Sequence, residues 1–103
     1  MIESYKEEVH QFGKEFNLPK VPAGVMYVFE EDGNVEGVEY LCPCGCDMVI
    51  YTPCHSPKID RFWEFERGSN GPTLKPSVRW ISGCKAHFNI TDGKVIIHGD
   101  SGK

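Results

Sequence analysis

Hydrophobic residues at the start of the chain recur at intervals of three and four. The series consists of Ile2, Tyr5, Val9, Phe12 and Phe16. This is the spacing of one apolar stripe on an amphipathic helix. A capping-box pattern at residues 4–7 would begin such a helix, and Pro19 would follow its end. The pattern therefore predicts an N-terminal helix over residues 1–18, which packs on a sheet or docks on a partner.

After residue 24 the pattern changes to short runs rich in β-branched and aromatic residues. Residues 25–29 and 35–41 flank an Asp-Gly pair, and so do residues 87–91 and 94–98. Such pairs tolerate the positive φ angles of tight turns, so each arrangement predicts a β-hairpin. Shorter runs predict further strands. These runs are residues 48–51, 62–66 and 78–81.

Residues 72–77 contain two prolines. Proline cannot donate a hydrogen bond in the middle of a sheet, so this segment is expected to be extended and irregular. The predicted fold class is mostly β (α+β), with an N-terminal helix followed by a small antiparallel β domain of about seven strands. Two metal-binding turns would give this domain a Rieske-like or zinc-ribbon-like form.

The length and composition are those of one soluble domain. The chain has 103 residues, of which 40% are hydrophobic and 25% charged. We expect a single domain over 1–103, with the helix at 1–18 and the β domain with its metal site at 25–100. The start of the chain lacks a signal-peptide pattern, and no apolar run is long enough to span a membrane. The expected location is the cytoplasm, or the host cytoplasm if the protein is phage-encoded.

Charge is distributed unevenly along the chain. Residues 1–41 hold nine of the 15 acidic residues but only three of the 11 lysines and arginines. An acidic region repels a phosphate backbone, so nucleic acid is not the expected partner. The expected partner is another protein, without membrane association.

The cysteines indicate a metal site. Three of the five lie in CPCGC at 42–46, and another begins a C-x-x-H pattern at 84–87. In a reducing cytoplasm such clusters are typical of metal ligands rather than disulfides. Alternate residues of an extended segment point to one side. The predicted ligands are Cys42, Cys44, Cys84 and His87, with Cys46 as an alternative to Cys42. Three cysteines and one histidine are a common structural Zn²⁺ set.

The motifs CPCGC, PTLKPS at 72–77 and CKAHF at 84–88, with Trp63 between them, resemble those of a family of small uncharacterised bacterial and phage domains. Some members carry the misleading label "ammonia monooxygenase". The resemblance covers residues 40–100 and implies a metal-binding β domain without an assigned activity. A looser resemblance to the Rieske fold implies a [2Fe-2S] cluster as the alternative to zinc, although Cys44 stands where that fold has its first histidine.

Three functions remain open at this point. A closed four-ligand site and the lack of a convincing catalytic triad favour a zinc-binding β module with a binding or regulatory role, engaging a host protein if it is phage-encoded. On this view the protein is not an enzyme and has no catalytic residues. The alternatives are a Rieske-like electron-transfer domain and a small zinc- or cysteine-dependent enzyme. The last would be either zinc-dependent, with Cys46 or Cys54 left free beside an open site, or dependent on Cys54 as the nucleophile. Adjacent side chains of an extended segment point apart, so Cys54 and His55 are not expected to form a nucleophile–base pair and are interpreted as a loop pair.

Overall fold

The computed structural model describes residues 1–14, 18–54, 63–80 and 83–103. Within these ranges the chain forms eight β-strands and no helix. The strands are β1 (Lys6–Gln11), β2 (Val25–Glu31), β3 (Asn34–Leu41), β4 (Val49–Pro53), β5 (Glu64–Arg67), β6 (Pro72–Arg79), β7 (His87–Thr91) and β8 (Lys94–Ile97). In the described part of the chain, no helix is long and apolar enough to cross a membrane.

The strands form two four-stranded sheets that follow the chain order, β1-β2-β3-β4 and β5-β6-β7-β8. Only the β1–β2 pair is parallel; the other pairs of the described strands are antiparallel. The inner faces of the sheets pack together, and Tyr40 of β3 meets Phe88 of β7 edge-on with ring centroids 6.3 Å apart. Both rings are fully buried, so they form the centre of the core.

The predicted N-terminal helix is wrong, and with it the α+β class. Residues 6–11 form an edge strand that pairs in register with β2. Of the expected apolar stripe, Val9 is 50% exposed and Phe12 38% exposed, so these two side chains do not form a buried helical face. A short isolated helix is marginal in water, whereas pairing with β2 gives the backbone a ladder of hydrogen bonds. Phe16 lies outside the described residues.

Both Asp-Gly hairpins are confirmed. β2 and β3 are joined by a turn in which Asp32 and Gly33 have φ angles of 53° and 82°. The turn between β7 and β8 repeats this geometry, with 51° at Asp92 and 83° at Gly93. The strands expected near 48–51 and 62–66 also form, as β4 and β5, although Phe62 lies outside the described residues.

The expectation of an irregular segment at 72–77 is wrong, because these residues belong to β6, which lies between β5 and β7. Its prolines occupy positions that need no ladder bond. Pro72 is the first residue of the strand, and Pro76 lies where the register with β7 shifts between Leu74 and Val78. The strand expected at 78–81 is the end of β6 at Arg79, and residue 81 is outside the described ranges.

A second hydrophobic cluster covers the other face of the first sheet. Tyr27 and Phe29 alternate along β2 with Met26 and Val28, which face the main core. Burial on both sides explains why β2 is a continuous apolar run rather than an alternating one. β2 is therefore buried on both faces, whereas the outer strands of the same sheet are more exposed, for example at Val9 of β1 and Tyr51 of β4.

Candidate active site and metal centre

The irregular pairing of β6 with β7 brings Ser77 onto the outer face of the second sheet. Arg79 lies directly opposite His87 in the register, so their side chains share a face, and Ser77 lies two residues before Arg79. Val78 and Phe88 point the other way and are buried in the core. A β-bulge often re-aims side chains near a functional site. Here it places a serine hydroxyl beside an imidazole.

Ser77, His87 and Asp100 form a hydrogen-bonded chain. The Ser77 Oγ lies 3.1 Å from Nε2 of His87, and Nδ1 of the same ring lies 2.7 Å from Oδ1 of Asp100. With its proton on Nδ1, the ring donates to the carboxylate and its free Nε2 accepts from the hydroxyl. The His87 side chain is 16% exposed and Asp100 is 45% exposed. The imidazole is thus sheltered, and the carboxylate lies at the surface.

Two donor groups hold Asp100. Its second oxygen, Oδ2, accepts a hydrogen bond of 2.8 Å from Arg79 Nη2, while Oδ1 is bonded to His87. The bond from His87, and next the charge of Arg79, lower the pKa of the Asp100 carboxyl below its usual value. These interactions are therefore present at neutral pH and are lost only as the pH falls through that lowered pKa.

The backbone around His87 is also fixed. The His87 N–H donates to Ser101 Oγ at 3.0 Å, and the His87 carbonyl accepts from the His98 N–H at 2.9 Å. The rings of His87 and His98 stack with centroids 4.0 Å apart, and His98 is itself hydrogen-bonded to Asn89. Packing and hydrogen bonds therefore set both the position and the tilt of the imidazole.

Four cysteine thiols form a second cluster, which does not include Ser77, His87 or Asp100. Their sulfur atoms are all within 4.8 Å of one another, and they belong to Cys42, Cys44, Cys46 and Cys84. Cys42 Sγ is 3.3 Å from Cys44 Sγ and 3.6 Å from Cys84 Sγ. Tetrahedral zinc with Zn–S bonds of ~2.3 Å requires sulfurs about 3.8 Å apart. Four thiolates at these separations fit such an ion.

The structure brings together Cys42, Cys44 and Cys84 of the predicted ligand set but not His87, whose two nitrogens face Ser77 and Asp100. The sulfur of Cys46, expected as an alternative to Cys42, lies beside it instead. The identity of the ligands stays a prediction that metal analysis of single variants can test.

Two turns with left-handed residues shape the thiol cluster. In the first, Gly45 has φ 93° and Asp47 φ 64°; in the second, Lys85, after Cys84, has φ 53°. Burial raises the pKa of Cys42 and Cys44, whereas the Met48 N–H lowers the pKa of Cys46. A bound cation would offset the burial cost of the inner thiolates, because it favours deprotonation of its ligands.

Cys54 does not have the environment of a nucleophile. Its side chain is fully buried, and burial, followed by the charge of Glu36, raises its pKa to about 12. The neighbouring His55, with which it was expected to form a loop pair, lies outside the described residues. Within the structure, Cys54 is packed in the main core as a small apolar side chain.

Alkylation rates test this assignment. We expect Cys54 to react with iodoacetamide at pH 7.5 far more slowly than a free cysteine, because its pKa implies a thiolate fraction roughly 10³-fold lower. Site-resolved mass spectrometry on the native protein measures the rate, with N-acetylcysteine as reference. Faster labelling of Cys54 than of the reference would restore the cysteine-nucleophile hypothesis.

A hydroxyl, an imidazole and a carboxylate bonded in this order are the arrangement that serine hydrolases use. The sequence profile of one family, described as "Bacterial ubiquitination-like system serine protease (BubE)", matches residues 12–98. The match covers most of the chain, so the protein belongs to the BubE family. Ser77 and His87 fall within the matched region, and Asp100 lies two residues beyond it. No curated protein and no solved structure gives a significant match.

This membership corrects the expectation that the protein is not an enzyme, because the family is named as a serine protease. The expectation that the chain belongs to a small bacterial family is confirmed. The comparisons lend no support to the particular motifs on which it was based or to the Rieske likeness.

Ser77 lies in a segment that stands out in the sequence, although that segment does not by itself indicate a nucleophile. Ser77 ends the PTLKPS segment and His87 ends the C-x-x-H pattern, and both segments belong to the motifs of the family resemblance. The spacing of His87 from Cys84 favours a metal ligand over a catalytic base. Nothing local indicates that Asp100, 13 residues later, returns to that imidazole.

Proposed function

We propose that the protein is a serine protease in which Ser77 is the nucleophile, His87 the general base and Asp100 the group that orients His87. The single observation that carries this proposal is the chain of bonds at 3.1 Å and 2.7 Å that joins the three side chains through opposite nitrogens of one imidazole. Membership of a family named for serine proteases supports the same reaction.

The reaction follows from the geometry. As the Ser77 Oγ forms a bond to the substrate carbonyl carbon, its proton passes to Nε2 of His87. Asp100 stabilises the imidazolium through Nδ1–H and does not take the proton. His87 then protonates the leaving amine, which breaks the peptide bond and leaves an acyl ester on Ser77. Water, deprotonated by the same imidazole, hydrolyses the ester and restores the serine.

The substrate in this proposal is a polypeptide that belongs to a bacterial ubiquitination-like system, as the family description suggests. The predicted protein partner is then the substrate. Of the binding-module hypothesis we retain only this part: the protein binds another protein, and it does so in order to cleave it.

We further propose that the four thiols hold one zinc ion with a structural role. Four protein ligands close a tetrahedral site and leave no position for substrate, so zinc would stabilise the turns rather than take part in hydrolysis. The support is the mutual approach of the four sulfurs within 4.8 Å. Metal analysis of protein purified without added metal distinguishes zinc from iron. A brown protein that absorbs visible light would show that the thiols hold an iron centre and not zinc.

Fluorophosphonate labelling tests the proposed protease. An alkyl fluorophosphonate is attacked by an activated serine, which forms an Oγ–P bond as fluoride leaves. We expect stoichiometric labelling at Ser77, located by peptide mass spectrometry, with no label on the other serines. Labelling at a different serine, or none on folded metal-loaded protein, would contradict the proposal.

Replacing Asp100 with asparagine is expected to slow hydrolysis by roughly 10²- to 10⁴-fold while leaving the protein folded. The amide can no longer hold His87 with its proton on Nδ1, so Nε2 becomes a poor acceptor for the serine proton. The rate of fluorophosphonate labelling measures this loss at several pH values. A matched control is Asp92→Asn, which alters a carboxylate bonded to Asn70 in a hairpin turn and should label like the wild type.

A further inference from the structure

A cleft of about 290 Å³ lies at the end of β6, where Val78, Arg79 and Trp80, the residues that follow Ser77, form part of its lining. β7 pairs with β6 on one side, while β5 pairs on the other only as far as Lys75. Beyond Lys75, the described part of the chain places no strand on that side of β6. The cleft occupies this gap, between the end of β6 and the edge strand β4.

The walls of the cleft are mostly apolar. The residues that line it include Ile50, Thr52, Trp63, Val78, Arg79 and Trp80. Two of the polar groups among them already have partners: the Thr52 hydroxyl is 2.9 Å from the Tyr40 hydroxyl, and Arg79 is bonded to Asp100. Most of the remaining surface is that of indole rings and aliphatic side chains, which suits an apolar group.

The cleft adjoins the backbone next to the proposed nucleophile, through Val78 and Trp63. Val78 and Arg79 follow Ser77 in the chain, and the Trp63 indole N–H donates to the Ser77 carbonyl at 3.2 Å. His87 lies at the Ser77 Oγ, whereas Trp63 and the residues after Ser77 lead from the same backbone into the cleft. The side chain next to the scissile bond is therefore the part of the substrate placed to enter the cleft.

We propose that this cleft selects the residue that supplies the scissile carbonyl, and that it prefers a large apolar side chain such as leucine or phenylalanine. This inference rests on the proposed protease function. The volume is at the lower end of small-ligand pockets and suits one side chain rather than a longer segment. Charged side chains would lose water there without adequate compensation, because Arg79 is already paired with Asp100. The indole N–H of Trp80 is a buried donor without a partner in the described part of the chain, but one neutral donor does not offset the burial of an ionised group.

Diphenyl phosphonate esters of amino acids test the preference. Ser77 attacks phosphorus, an Oγ–P bond forms, and phenoxide leaves, so the labelling rate reports how well the amino-acid side chain is accommodated. We expect the leucine and phenylalanine probes to label Ser77 roughly 10- to 200-fold faster than the glycine probe, with aspartate and lysine probes no faster than glycine.

Trp80→Ala should reduce the advantage of the leucine probe over the glycine probe by about 10-fold or more, because it removes one wall of the cleft. Trp80 is a better test than Trp63, whose indole also bonds the Ser77 carbonyl. The matched control is Phe65→Ala, another partly buried ring of the second sheet, which does not line the cleft. This control should keep the wild-type preference.

A fluorophosphonate without an amino-acid side chain separates the two proposals. If it labels Ser77 while the glycine, leucine and phenylalanine probes react at equal rates, the specificity cleft is overturned and the protease stands. Equal loss of preference in Trp80→Ala and Phe65→Ala would also overturn the cleft. If neither class of probe labels Ser77, the protease proposal fails and the cleft with it.

Discussion

Replacing Ser77 with alanine is expected to lower peptide-bond hydrolysis by roughly 10³- to 10⁶-fold and to abolish fluorophosphonate labelling. The hydroxyl lies 3.1 Å from Nε2 of His87, and the alanine side chain offers no atom to attack the carbonyl. The fold should persist, because the lost hydrogen bond is at a partly buried position and contributes ~1 kcal/mol. Mass spectrometry of an unfolded protein substrate measures cleavage, and urea denaturation measures stability.

Ser69→Ala is the matched control for this variant. Ser69 is exposed in the turn between β5 and β6, so the substitution removes the same atom without touching His87. We expect wild-type cleavage and labelling from this variant. Undiminished cleavage by Ser77→Ala would show that the hydroxyl near His87 is not the nucleophile.

The sequence predicted best those parts of the fold that depend on neighbouring residues. An Asp-Gly pair determines the backbone of its own turn, and both hairpins formed where the pairs lie. The prediction of an N-terminal helix failed because the structure of this segment depends on a partner that is distant in the sequence. Residues 6–11 are strand only by pairing with β2, about 19 residues later in register, for example Lys6 with Val25. Helical spacing carries no information about such a partner.

The same distinction applies to the two sites. Cysteines are rare residues, and three of the five lie within positions 42–46, so their spacing alone indicates a metal site. Serine and aspartate are common at surfaces, and Ser77 and Asp100 are brought to His87 by a bulge and by the segment after β8. The C-x-x-H spacing is also fully explained if His87 is a metal ligand, so the sequence gives no reason to look for a second role of this residue. A triad spread over 24 residues has no comparable local pattern.

The thiol cluster and the triad are joined through the backbone of one turn. After Cys84, the Lys85 carbonyl accepts from the Gly102 N–H at 2.8 Å, and the Ala86 carbonyl accepts from the Trp80 N–H at 2.9 Å. These bonds tie the second cysteine turn to the segment that carries Asp100 and to the end of β6. A metal that fixes this turn would therefore stabilise the geometry around His87 as well.

Removing the metal is accordingly expected to cause a large loss of stability, with loss of activity. Structural zinc in small domains contributes about 10–16 kcal/mol of binding free energy at neutral pH, comparable to or larger than the whole stability of a domain this size. Cys84→Ala should unfold the protein or lower its melting temperature as much as chelation does. Cys54→Ala removes a more deeply buried thiol outside the cluster and should cost only about 1 kcal/mol.

Two further variants separate the metal from the chemistry. Cys46→Ser should weaken metal retention, because the Cys46 sulfur lies in the cluster, but should leave the Ser77–His87–Asp100 bonds intact while metal is supplied in excess. His87→Gln should do the reverse, retaining one zinc per chain while losing fluorophosphonate labelling. Metal content by mass spectrometry and labelling rate are measured on both proteins. If His87→Gln releases the metal and Cys46→Ser retains it, the ligands are those predicted from the C-x-x-H spacing. The imidazole would then bind zinc and could not also serve as the base for Ser77.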